Sequence, residues 1–266
     1  MKTMNDGGDA AERIRMNEPD RWVRHHVIPF AIFMVFLLLS TLAGTFFKVD
    51  LPSQPWWRMD PNQWIYPLQT VVCLVVLIWW WRSYEFSWSW KWSWVGVIFG
   101  VVGIGFWLLP TTLHAWLDLP DEKGHWWHHL GVAARRDGFD PGAVFGEGSA
   151  EYWTALTLRF VRAAVVVALV EEIFWRSYVM RLVVDWEGDY WKRPFGEASV
   201  KSYLIVTGLF MLAHAPVDYL GAWVYGSMTY LLCVWSKNLG ACVVMHFVAN
   251  LLMGIYAVST GKFGLW

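Results

Sequence analysis

The chain has 266 residues, 56% of them hydrophobic and 16% charged, with 22 tryptophans and a formal net charge of −1. A soluble domain carries about 25% charged residues, so this shortfall, with apolar runs of about 20 residues, excludes disordered, collagen-like and disulfide-scaffold classes and marks a chain that spans a bilayer. The balanced charge gives no sign of a nucleic-acid partner, for which a clustered basic face is expected.

Residues 1–26 are polar and basic, with Lys2, Arg13, Arg15, Arg21 and Arg24, and read as a cytoplasmic tail. A secretory signal has a shorter leader and a briefer apolar core, so residues 27–47 are expected to remain as the first span. Further spans are expected at 64–81, 94–113, 153–184, 202–215, 218–236 and 239–259. The expected fold is therefore all-α, a polytopic transmembrane helical bundle of about seven spans. It divides into the tail 1–26, amino-terminal spans and loops over 27–150, and a carboxy-terminal helical core over 151–266.

Trp88, Trp90, Trp92 and Trp94 alternate like a strand, but stand where a loop enters the third span, which favours an interfacial aromatic belt. In that span Gly96, Gly100 and Gly103 are close to the small-residue spacing that lets helices approach. Cys73, Cys233 and Cys242 fall in apolar runs and read as small core hydrophobes. The loop from His114 to Glu151 carries His125, His128 and His129 among tryptophans and reads as an interfacial element, a candidate lid or docking segment on the extracytoplasmic side.

Lys and Arg resist translocation, so their loop distribution sets orientation. With the amino terminus inside, twelve of them fall on the cytoplasmic side and six, Lys48, Arg58, Lys123, Arg135, Arg136 and Lys262, on the other. An integral protein of a bacterial inner (plasma) membrane, amino terminus cytoplasmic, is the expectation.

An ionisable group inside a span costs several kcal/mol by insertion scales, roughly 2.5 to 3.5 at the helix centre. Three places violate that economy. Glu171, Glu172 and Arg176 follow the apolar run 163–170; Glu172 and Arg176 are adjacent on a helix and can pair, whereas Glu171 points about 100° away and is left to serve as a general base. Phe210 and His214 are four apart at the end of one apolar helix, and His246 and Asn250 share a face of the last. Singly, these read as a solvated ion pair, an interfacial histidine and interhelical glue.

In order, however, Glu171-Glu172-Ile173-Phe174-Trp175-Arg176, Phe210-Met211-Leu212-Ala213-His214 and His246-Phe247-Val248-Ala249-Asn250 resemble the motifs of the CPBP family of intramembrane proteases. That family includes the type II CAAX prenyl endopeptidases and the bacterial Abi and bacteriocin-processing relatives. The resemblance covers about residues 153–260 and extends to the CAAX-protease-related proteins linked to exosortase and PEP-CTERM sorting. It implies an endopeptidase acting on a membrane-associated protein or peptide substrate in the lipid bilayer. Glu171 and His214 would activate water, His246 and Asn250 would stabilise the oxyanion, and Glu172, Arg176 and Phe210 would support them. No cofactor is expected, because the His-Glu-x-x-His signature is absent; were zinc used, Glu171, His214 and His246 would be its ligands. Helix rise puts Glu171 and His246 shallow and His214 deeper, in a cavity expected to face the cytoplasm. Two rivals have other chemistry: a non-catalytic scaffold or peptide-tail-binding protein of the same fold, and a proton-relay transporter, against which the lack of paired repeats speaks.

Overall fold

The computed structural model describes residues 18–48, 55–120 and 125–266. It is helical, and no strand occurs among the described residues. The long helices stand where hydropathy puts them: α1 Glu18–Phe46, α2 Asn62–Trp79, α3 Trp90–Trp116, α4 Ala150–Val184, α5 Val200–Leu212, α6 Tyr219–Ser236 and α7 Leu239–Thr260. α1, α2, α3, α4 and α7 are each long and apolar enough to cross a membrane. α5 is apolar but has only 13 residues, about 20 Å at ~1.5 Å per residue.

The first helix starts inside the expected tail, at Glu18 rather than 27. Arg24 donates to the Asp20 carbonyl and Trp22 stacks on His26, with ring centroids 4.0 Å apart, so these polar turns carry their own contacts. The tail residues Lys2, Arg13 and Arg15 lie outside the described residues. Trp90, Trp92 and Trp94 form the first turns of α3, so their alternation in sequence is not a strand.

α7 runs through the bundle against α3, α4 and α6. The α3–α7 approach depends on absent side chains: a Cβ at Gly96 would lie 2.6 Å from the Ala241 carbonyl oxygen, and one at Gly100 would lie 2.6 Å from that of Met245. Gly103 meets the Tyr225 ring of α6 in the same way, at 2.9 Å. One apolar cluster, with Phe210, Leu232 and Met245, joins α3 and α4 to α5, α6 and α7. A second, with Phe33, Cys73, Leu77, Val166 and Val170, ties α1 and α2 to α4. Outward-facing Leu38, Val71, Ile78, Ile98 and Leu204 are exposed, as expected of side chains that meet lipid.

Chain direction gives the bundle two unlike ends. Residues 80–89, 185–199 and 237–238 share one end, where Arg181 of α4 pairs with Glu85. Residues 125–149, the 213–218 turn and the 261–266 segment share the other. Here Arg135 grips Asp218 through both nitrogens, at 2.8 and 2.9 Å, and donates to the Gly264 carbonyl. The segment sketched in sequence as a lid thus lies over the α5–α6 turn.

Gly100→Val forces a branched side chain into backbone of α7, an overpacking worth ~1–3 kcal/mol. Thermal unfolding in detergent should show a clearly lowered midpoint, whereas Gly105→Val, at a position with open space, should leave it nearly unchanged.

Candidate active site

α4 supplies the acidic pair from an uneven helix. α-Helical Ala168–Glu172 is flanked by π-helical stretches at Val161–Val167 and Ile173–Val179. Wide turns of this kind concentrate at functional sites because they rotate side chains out of the regular phase. Glu171 and Glu172 themselves lie in the regular stretch between them, whose step of about 100° per residue sends neighbouring carboxylates to different surroundings.

Glu172 is fully buried and bridges two partners: its Oε1 lies 2.8 Å from Nδ1 of His246, and its Oε2 forms an ion pair at 3.3 Å with Nε of Arg176. The Arg176 guanidinium is also fully buried, over the Phe210 ring at 5.5 Å. The pairing of Glu172 with Arg176 expected from their spacing is present. The bond to His246 is additional, and it makes Glu172 the support of a residue on another helix. With Nδ1 committed to a carboxylate, His246 offers Nε2 to other groups.

Glu171 goes the other way. Its Oε2 is buried without a hydrogen-bond partner, and the residue lines a cavity of about 230 Å³. His214, Phe210, His246 and Asn250 line the same cavity. Nδ1 of His214 donates to the Phe210 carbonyl at 2.8 Å, a tautomer assigned from that bond, so Nε2 carries the lone pair. The Asn250 amide donates to the Ala163 carbonyl at 2.8 Å and keeps its second N–H. Four residues expected to act together, from three helices, therefore meet in one space; Glu172 and Arg176 stand behind it.

Depth corrects the sequence estimate. Glu171 is 13 residues from the end of α4 at Val184 and His214 lies just beyond the 13-residue α5, so both sit about 20 Å from the same end of the bundle. Ser87 and Trp88 pack closely on Gly240 at the start of α7. The cavity lining continues through Trp107, Arg159, Asp218, Leu265 and Trp266, toward the end with the 213–218 turn. That is the end away from Arg82, Lys192, Arg193 and Lys237.

Among the described residues no three His, Cys, Asp or Glu side chains are gathered so as to hold a metal. The ligand set sketched for zinc, Glu171, His214 and His246, does not converge as one, and neither do His125, His128 and His129.

Three lining residues escaped the sequence reading: Arg159, Arg162 and Tyr225. The signal for the arginines was available. Eighteen of the 21 Lys and Arg were assigned to the tail and loops, and the remaining three, Arg159, Arg162 and Arg176, all lie in one expected span. Tyr225 had no such signal, yet its buried hydroxyl has no partner and its ring stands 5.7 Å from that of His246.

Residues 153–252 match the family model of the type II CAAX prenyl endopeptidases, Rce1-like. The match runs from α4 into α7 and contains all seven residues of the three motifs. Over those residues the chain is similar to a family of CAAX-type intramembrane proteases, and no narrower subgroup is matched. No curated protein and no solved structure matches the chain.

Removing Glu172 leaves the Arg176 charge buried without its partner, a loss of ~3–5 kcal/mol for a broken buried pair. Glu172→Ala should therefore unfold at markedly lower temperature in detergent than wild type, and Glu171→Gln, which removes no ion pair, should unfold much closer to wild type.

Proposed function

We propose that this chain is an intramembrane endopeptidase that hydrolyses a peptide bond in a membrane-associated protein or peptide. The observation that carries the reading is the convergence of α4, α5 and α7 on one cavity in which Glu171 keeps an unpartnered oxygen. The family match over 153–252 supports it.

In this reading a water sits between Glu171 and Nε2 of His214. Glu171 takes its proton as the oxygen attacks the scissile carbonyl, a general-base step of the kind that contributes about 10²–10⁴ in rate. The carbonyl oxygen becomes an oxyanion, which His246 Nε2 and the free N–H of Asn250 would meet. Donation from Nε2 needs an imidazolium, which Glu172 holds through Nδ1 and whose charge the oxyanion it meets would balance. The C–N bond then breaks, and the proton held by Glu171 passes to the leaving amine. Arg176 fixes Glu172, and Phe210 stacks on Arg176 while holding the His214 ring through its carbonyl.

The bias of basic loop residues supports an amino-terminal end in the cytoplasm of a bacterial plasma membrane, which would open the cavity toward the opposite side. The core that performs this chemistry would be residues 151–266, with 27–150 as supporting spans.

The test compares protein termini in membranes of cells expressing wild type, Glu171→Gln and His246→Ala at equal levels. A terminus present with wild type and lost with both variants is the expected result and names the substrate. Identical termini in all three, with biological activity retained by Glu171→Gln, would instead mark a peptide-binding scaffold. Asn250→Ala should retain partial cleavage, slowed about 10²–10³-fold if it removes one oxyanion donor, as read from the rate at which that same terminus accumulates.

A further inference from the structure

Charge is distributed unevenly in the cavity wall. Arg159 and Arg162 stand one turn apart on α4, 4% and 5% exposed, and both line the cavity that holds Glu171. Neither forms an ion pair with a carboxylate among the described residues, although Arg159 interacts with the Tyr66 side chain and lies in the field of Asp60, and Arg162 lies in the field of Glu171. The Arg159 guanidinium is surrounded by the rings of Tyr66, Phe139 and Trp266 at 4.5, 5.3 and 5.5 Å. Its Nε and Nη1 are buried with no hydrogen bond at all. Arg162 lies over Tyr66 at 4.2 Å and Phe33 at 5.3 Å and donates to the Gln69 side chain.

Aromatic faces attract a guanidinium but do not satisfy its N–H groups. A buried donor left unmade costs about 1–3 kcal/mol, more when charged, and the planar fork of arginine matches one oxyacid better than any other group. From these observations we infer that Arg159 and Arg162 form a carboxylate-binding subsite at one end of the cavity, which receives an anionic group of the peptide bound there.

The ligand is a peptide because the inference rests on the endopeptidase reading, while the site itself is set by the two arginines. Nine residues separate Arg162 from Glu171 along α4, so the carboxylate lies a few residues at most from the reacting bond. It comes either from a chain terminus or from an Asp or Glu side chain, the same chemistry in both cases.

The subsite is tested by binding, separately from cleavage. Full-length Glu171→Gln protein in nanodiscs is titrated with three N-palmitoylated hexapeptides of Ala, Val and Leu: one ending in a free carboxylate, one in an amide, and one amidated but with Glu at the fifth position. One of the two acids should bind at least tenfold tighter than the plain amide, and which one does so tells terminus from side chain. The preference should fall to under about twofold when Arg159→Met or Arg162→Met is added, and should survive in part with Arg159→Lys, which keeps the charge if the methionine variants do not fold. Equal binding of all three peptides, or a preference unchanged by both methionine variants, would overturn the subsite. Neither result touches the cleavage reading, because the termini lost with Glu171→Gln are measured without these probes.

Discussion

A carboxylate with no exposure to solvent holds this molecule's chemistry in place. Glu172 joins Arg176 on its own helix to His246 on α7, and burying three ionisable groups together is tolerable only because each offsets another. The bridge also pins α4 to α7, and α7 in turn lies against α3 through glycines whose missing side chains let backbones meet. The other site features follow from that register: Glu171 turns to the cavity because Glu172 turns away from it.

The irregularity of α4 supplies that register. A π-helical turn displaces the pattern of backbone bonds, and within the first such stretch the Ala163 carbonyl receives the Asn250 amide from α7. The residue proposed for oxyanion stabilisation is thus positioned by the backbone of the helix that carries the proposed base. Two contacts between the same helices, Asn250 to Ala163 and His246 to Glu172, fix α7 in rotation as well as in distance.

Much of this was legible in the sequence, for reasons that can be named. Hydropathy located the apolar helices, five of them long enough to cross, because apolar length is what a bilayer demands, and the Gly96, Gly100 and Gly103 spacing announced a close helix contact that α7 provides. Motif spacing placed Glu172 beside Arg176, since residues four apart on a helix are neighbours. The Glu172–His246 bond was not legible, because it spans 74 positions and depends on a helical phase that π-helical turns alter. Glu171 lies deeper than expected, because 13 residues of helix separate it from Val184. Arg159 and Arg162 have no pairwise sequence signature, because their partners are aromatic rings and the Gln69 side chain, distant in the chain.

The grip of Arg135 on Asp218 and on the Gly264 carbonyl bears on the order of assembly. It closes loops of 83 and 129 residues, and Leu265 and Trp266, just beyond it, form part of the cavity wall. Helices inserted in order of synthesis therefore leave this end of the cavity open until residues 261–266 fold back beneath Arg135. Until then the Arg159 guanidinium lacks the indole of Trp266, and the nascent bundle holds its buried charge with one wall missing.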